Sequence, residues 1–177
     1  MHNNKNTITL FGTANAKSGE PAYELAYETG KLLAQAGFTI VNGGYGGTML
    51  AAAKGAASVG GKTIGITCTA FGRSGANRYI VEEIKTNSLE ERLQTLVKLG
   101  QAYIVLPGST GTLLELAMVW ELKNKGFINK DKPIILVGGF WKPLVMLITG
   151  YEQNAALCLQ QTETVEQARD FLKTKLR

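Results

Sequence analysis

Ala102-Tyr103-Ile104-Val105-Leu106, followed directly by Pro107-Gly108-Ser109-Thr110-Gly111-Thr112-Leu113-Leu114-Glu115, decides how this chain folds. The first five residues are an apolar run of the length buried in a parallel sheet, and Leu113 to Leu122 reads as helix. A strand, a Gly-rich turn and a helix N-terminus in that order form an anion site. The first N–H groups of a helix have no internal partner, and the helix dipole favours negative charge beside them. Gly108 and Gly111 allow the backbone to approach a ligand, and Ser109, Thr110 and Thr112 add hydroxyl donors. A phosphate suits such a cradle, with Glu115 about one turn further in.

Two other strand ends carry the same residue types. Phe38-Thr39-Ile40-Val41 reads as a buried strand and runs into Asn42-Gly43-Gly44-Tyr45-Gly46-Gly47-Thr48-Met49, then into an Ala-rich helix over residues 50–58. The first strand, Thr7 to Phe11, ends in Gly12-Thr13. In a parallel sheet all three ends fall on the carboxyl edge, where open α/β sheets bind ligands. Gly12, Thr13, Gly43, Gly44, Gly46, Gly47, Thr48, Gly108, Ser109, Thr110, Gly111 and Thr112 are therefore the candidate phosphate or nucleotide ligands.

Strand and helix patterns alternate along the remainder. Helices are expected over residues 22–36, 89–99, 111–123, 141–148 and 165–176, the 89–99 and 113–124 segments amphipathic. Ser88 with Glu91, and Thr164 with Gln167, are spaced as capping boxes. Strands are expected over 62–67, 79–84, 103–106, 133–137 and, as a last edge, 156–160, with a polar candidate lid over 69–78. This alternation predicts one doubly wound α/β domain of Rossmann type over residues 1–177, with a mostly parallel sheet and helices on both faces.

Composition sets bounds. With 177 residues and 45% apolar side chains the chain can bury a substantial core. No apolar run approaches a membrane span, and the polar Met1 to Asn6 stretch resembles no signal peptide, so a cytoplasmic location is expected. Cys68 and Cys158 form no paired motif and read as reduced, buried thiols. His2 is the single histidine, which argues against a His-based metal site or a Ser-His-Asp triad. The net charge of +5 is spread along the chain without interleaved aromatics, so a phosphorylated small molecule fits better than nucleic acid.

The motif from Pro107 to Glu115 resembles the Pro-Gly-Gly-x-Gly-Thr-x-x-Glu signature of the Lonely Guy (LOG) family. The loop from Gly43 to Met49 is similar to that family's first Gly-rich loop. Gly12, Thr13, Tyr23 and the segment from Thr162 to Gln167 fit as well. Arg92, fifteen residues before Pro107, falls where the family has the arginine of Met-His-x-Arg-Lys. The resemblance implies a homodimer with cytokinin riboside 5′-monophosphate phosphoribohydrolase chemistry. In that chemistry a nucleoside monophosphate is cut to base and ribose 5-phosphate without metal or redox cofactor, with Glu115 and Arg92 at the ribose. Departures fall around the base and ribose: Asn42, Leu89, Glu90, Leu93, Ser109 and Leu114 replace family residues. A non-catalytic nucleotide sensor or molybdenum-cofactor carrier needs only the phosphate cradle, and remains the alternative.

Several of these residues also have ordinary structural readings. Thr112-x-x-Glu115 is spaced as a capping box. Arg92 has Glu82, Glu90 and Glu91 as possible partners. The 43–47 loop could be only a tight turn, and Tyr45 a lid or a packed aromatic. Asn77 and Arg78 read as surface, and Trp120 and Trp141 as core or interface.

Overall fold

The computed structural model describes residues 6–176; His2 and Arg177 lie outside them. Seven strands form one sheet in the order β4-β3-β2-β1-β5-β6-β7, and every neighbouring pair is parallel. They are β1 (Thr7–Phe11), β2 (Thr39–Asn42), β3 (Thr63–Cys68), β4 (Glu82–Thr86), β5 (Ala102–Val105), β6 (Ile134–Val137) and β7 (Gln160–Thr162). The helices are α1 (Pro21–Gln35), α2 (Thr48–Ala57), α3 (Leu89–Leu99), α4 (Thr110–Asn124), α5 (Lys142–Thr149) and α6 (Val165–Lys175). This is the doubly wound α/β fold expected, with no antiparallel strand among the described residues.

Alternation along the central strands sorts their side chains into two cores. Ile8, Leu10, Ile40, Ala102 and Ile104 face α1, α2 and α6, while Phe11, Val41, Ile66, Tyr103 and Val105 face α3 and α4. Thr9, fully buried on the second face, donates its hydroxyl to Leu96 O of α3 at 2.9 Å, which removes the penalty of an unpaired polar atom. A Cβ at Gly30 would stand 2.0 Å from Ala52 O, and one at Gly55 would stand 2.0 Å from Tyr27 O. Both glycines thus let α1 and α2 meet backbone to backbone, which sets the position of the N-terminus of α2.

The chain departs from expectation mainly at the sheet edges. The strand expected over 79–84 begins at Glu82, because Tyr79 to Val81 are drawn into a turn. Asn77 accepts from Tyr79 N through its side chain and from Ile80 N through its carbonyl, and Val81 N donates to Thr63 O. The last edge strand lies later than 156–160. Gln153–Cys158 is a 3-10 turn, held where Trp120 Nε1 donates to Ala155 O at 2.8 Å, and only Gln160–Thr162 pairs with β6. Edge strands have one open side, so neither carries the apolar pattern that marks the centre. In the 69–78 stretch Thr69–Phe71 forms a 3-10 turn. Helix α4 is not amphipathic: Leu116, Val119 and Trp120 are buried, but Leu113 and Leu114 are exposed.

Both expected caps form. Ser88 accepts from Glu91 N at 3.2 Å and Thr164 from Gln167 N at 3.3 Å. The reciprocal bonds reach one residue further back than a strict box, from Asn87 N to Glu91 and from Glu163 N to Gln167. Cys68 is buried, Cys158 is half-buried rather than buried, and both are free thiols. No described helix is long and apolar enough to cross a membrane.

Candidate active site

Strands β1 and β5 are neighbours, yet their helices lie on opposite faces of the sheet, so a crevice opens at their carboxyl ends. A cleft of about 270 Å³ fills it, walled by Gly12, Ser109, Gly111, Thr112 and Glu115 on one side and by Tyr45, Phe71, Arg73 and Arg92 on the other. Met49, Leu89, Leu93 and Leu114 add an apolar lip.

Arg92 and Glu115 meet in this cleft. Arg92 Nη1 lies 3.8 Å from Glu115 Oε1, with the two side chains 8% and 13% exposed. None of Glu82, Glu90 and Glu91 pairs with Arg92. Its Nε instead donates to Ile66 O at 2.8 Å, and its guanidinium lies 5.8 Å and 5.7 Å from the rings of Tyr45 and Phe71. Burial pushes the Glu115 carboxyl up to about 7, against the pull of Arg92. Burial likewise lowers Arg92, opposed by Glu115. At 3.8 Å the attraction does not offset desolvation, so the carboxyl is held where it can exchange a proton near neutral pH.

The capping-box reading of Glu115 fails. Helix α4 begins at Thr110 with Ser109 as N-cap, so Thr112 is already inside the first turn and Glu115 one turn beyond it. Thr112 is 2% exposed, and its Oγ1 has no hydrogen-bond partner among the described residues. A buried hydroxyl without a partner is uncommon; Thr162 Oγ1 on β7 shares that state, and of the two only Thr112 lines the cleft. Ser109, Thr110 and Gly111 are exposed at the same helix end, and Gly108 packs so closely on Thr112 that a Cβ would stand 2.1 Å from Oγ1.

The first Gly-rich loop is placed differently from the second. Gly44 N donates to Asn42 Oδ1 at 2.8 Å, while Asn42 Nδ2 donates to Met49 O at 3.0 Å, so the asparagine ties the loop across its base. Gly47, at φ +62°, lies against Thr13 and Ala14, where a Cβ would come within 2.4 Å of Thr13 O. Thr48 gives both its N–H and its hydroxyl to Thr13 O, at 2.9 and 3.0 Å. Gly43 passes Arg92 so closely that a Cβ would stand 1.7 Å from Nη2. Gly12, Ser109, Gly111 and Thr112 thus line the cleft, whereas Gly108 packs behind Thr112 and Thr110 is exposed beside it. Thr13, Gly43, Gly44, Gly47 and Thr48 stand behind the cleft, bonded or packed within the protein, and Gly46 lines a separate shallow groove.

Three residues have contacts that the sequence reading left open, read otherwise or did not name. Tyr45 is a packed anchor whose hydroxyl accepts from Cys68 N at 2.8 Å and donates to Cys68 O at 3.2 Å. Asn77 is no surface residue: its backbone N–H and Nδ2 both donate to Gly44 O, and Nδ2 also reaches Tyr45 O at 2.8 Å. Arg73 stands with its guanidinium 4.8 Å from the centre of the Tyr45 ring. The neighbouring Arg78 is exposed and contacts only Tyr79, as expected of a surface residue. Trp120 and Trp141 are core, the latter donating to Leu106 O at 3.0 Å and so steadying the Pro107 turn.

Fold and cleft together define the class, a Rossmann-type α/β protein with a partly buried Arg–Glu pair over the sheet's switch point. The chain belongs to the SLOG cluster4 family, whose model matches residues 5–169. A cytokinin riboside 5′-monophosphate phosphoribohydrolase of Mycobacterium tuberculosis (strain ATCC 25618 / H37Rv) is 33% identical over 177 residues, 94% of this chain and 91% of that protein. This shows the LOG relationship. Among solved structures, the molybdenum cofactor binding protein of Rippkaea orientalis superposes with TM-score 0.78 at 23% identity, over 98% of each chain. The molybdenum cofactor carrier protein of Chlamydomonas reinhardtii gives 0.76 at 25% identity, over 97% of this chain and 98% of that one.

Proposed function

We propose that the protein hydrolyses the N-glycosidic bond of a nucleoside 5′-monophosphate, releasing the base and ribose 5-phosphate. The observation that carries the reading is Glu115 facing Arg92 at 3.8 Å beside the open N-terminus of α4, in a cleft where burial pushes its carboxyl up to about 7. The substrate phosphate sits on Ser109, Thr110, Gly111 and Thr112, where N–H groups and the free Thr112 hydroxyl receive it. The ribose then lies against Glu115. As the bond from C1′ to the base nitrogen breaks, its electron pair leaves with the base and positive charge develops on the sugar. The Glu115 carboxylate stabilises that charge, takes a proton from the water whose oxygen bonds to C1′, and is regenerated as that proton passes through solvent to the nitrogen of the departing base. Arg92 orients Glu115 and contacts the sugar hydroxyls. The 33% identical phosphoribohydrolase supports this chemistry.

Wild-type protein incubated with a panel of purine and pyrimidine nucleoside monophosphates is expected to release free base and ribose 5-phosphate from at least one of them. Binding without release from every member favours the alternative, a carrier or sensor. The apolar side chains Leu89, Leu93 and Leu114 at the cleft, and the 25% identical carrier protein, are what speak for that alternative.

Thr112→Val tests the phosphate placement. It removes a hydroxyl that has no partner among the described residues, so stability is expected to hold or rise slightly. Binding of AMP is expected to weaken by roughly ten- to hundredfold, the worth of one hydrogen bond to a charged group. Equal calorimetric affinities for the two proteins would remove the placement.

The protein is also expected to pair as a homodimer through α4 and α5. Leu113, Leu114, Met146, Leu147 and Ile148 are exposed there, and α5 buries none of its residues within the chain. Light scattering should give a mass near twice 19.0 kDa.

A further inference from the structure

Arg73 lines the same cleft as Arg92 and Glu115, yet it forms no hydrogen bond or ion pair with any described residue. Its contacts are aromatic: the guanidinium lies 4.8 Å from the centre of the Tyr45 ring and 6.0 Å from that of Phe71. A guanidinium held near aromatic rings keeps its in-plane N–H donors available, and those five donors form a rigid fork suited to phosphate oxygens. Glu83, which shares a neighbouring groove with Arg73, is engaged by Thr67, Ala76 and Lys85 rather than by Arg73. Glu115 is the cleft's single carboxylate and already faces Arg92, and Met49, Leu89, Leu93 and Leu114 are apolar. The two arginines also repel each other, since Arg73 contributes to lowering the Arg92 guanidinium. An anion between them relieves that repulsion.

Topology sets the direction from which Arg73 acts. It follows β3, whereas the Ser109 to Thr112 cradle follows β5, and β2 and β1 lie between those strands. Arg73 therefore approaches the cleft from the side opposite α4. Its segment is anchored at both ends and free between. Gly72 N donates to Thr69 O, Ala76 N donates to Glu83 Oε1, and Asn77 is bonded to Gly44, but Arg73, Ser74 and Gly75 make no backbone hydrogen bond among the described residues. Tyr45 is itself pinned to Cys68, so the ring beneath Arg73 is a fixed platform. A side chain on a short free span above a fixed ring can turn onto a ligand without disturbing either anchor.

We propose that Arg73 is a ligand of the substrate phosphate, gripping it from the β3 side while the N-terminus of α4 holds it from the β5 side. The inference rests on the nucleotide reading above and adds a residue and a specificity. Arg73 thereby adds a second cationic contact to the cleft's preference for phosphorylated over free nucleosides. Arg73→Gln is expected to weaken AMP binding roughly ten- to hundredfold, as for loss of a hydrogen bond to a charged group. It should leave adenosine binding and the melting temperature unchanged, and lessen the salt dependence of AMP affinity. Arg73→Lys should recover part of the loss, since it keeps the charge but not the fork. Calorimetry with AMP, adenosine and ribose 5-phosphate at two salt concentrations reads all of these. Wild-type protein that binds neither AMP nor ribose 5-phosphate overturns the nucleotide reading and the Arg73 role together. Wild-type protein that binds both, with Arg73→Gln unchanged or weakened equally for AMP and adenosine, overturns only the Arg73 role.

Discussion

Glu115→Gln is expected to cut base release by about 10²–10⁴-fold, the usual contribution of a positioned acid or base. The amide keeps the size of the carboxylate and can still accept from Arg92, but it cannot take a proton or carry negative charge against the developing sugar cation. In the wild-type protein kcat/KM should rise with pH through about 7, because the ionised carboxylate does the work and burial holds its proton until then. Stability runs the other way. The folded-state pKa is about 7 against 4.5 for an ordinary glutamate, so the folded chain retains a proton that the unfolded chain releases. The favourable contribution is fully present below about pH 4.5 and lost as pH rises to about 7, by an amount on the order of 3 kcal/mol. Gln has no such dependence. Melting curves at pH 5 and pH 8 should therefore show the variant gaining on the wild type at the higher pH. A variant that still releases base refutes the assignment. One that melts far below the wild type at both pH values shows a structural role instead.

Gly43→Ala is the second large effect. The added methyl would stand 1.7 Å from Arg92 Nη2 and 2.7 Å from Met49 Sδ. An arginine end can usually swing aside, but Nε here is bonded to Ile66 O and the guanidinium is boxed by Tyr45 and Phe71. Making room means pulling Arg92 away from Glu115. A stability loss of about 1–3 kcal/mol is expected from overpacking. Displacement by about 1 Å of a group that orients the reacting carboxylate should lower kcat/KM by roughly a hundredfold. Gly46→Ala is the control, since its Cβ would meet nothing closer than Ala14 O at 3.8 Å. Denaturant titrations and base-release rates on the two variants decide the matter. If they behave alike, close packing of the first loop on Arg92 does not matter.

Central elements were legible in the sequence because burial on both faces leaves a dense apolar signature. Thr7–Phe11 and Leu89–Leu99 lie where pattern and caps put them. The polar edges β4 and β7 were displaced by two or more residues, since an edge needs no such signature. In the cleft, the offset between Arg92 and the 107–115 motif pointed to their meeting, although no local pattern could give its 3.8 Å distance. Asn77 and Arg73 were not legible, and Tyr45 only as a choice between lid and packed aromatic. Each makes its contacts across a chain crossover, Asn77 to Gly44, Tyr45 to Cys68 and Arg73 to Tyr45, and nothing local marks a half-buried asparagine or an exposed arginine in a polar loop as part of a site. The Thr112 to Glu115 spacing matches a capping box without forming one, because such a box depends on where the helix starts, and α4 starts two residues before Thr112.

The pairing of β1 also governs the order in which the molecule can assemble. One side of β1 takes β2, a neighbour in sequence, but the other takes Ala102–Val105, in register with Ile8 to Phe11. A chain emerging from the ribosome therefore carries an open central edge until β5 has been made, the kind of edge that pairs with wrong partners. Refolding should be governed by this distant closure, and so run slower than in domains of similar size built from local contacts. Glu115 lies in α4, the helix after β5, so the ligand cleft forms only once that central edge has closed, while β6 and β7 extend the sheet afterwards. A partly folded form made of the first hundred or so residues lacks Ser109 to Glu115, so on the proposed placement ligand added during refolding should act only after the central edge has closed.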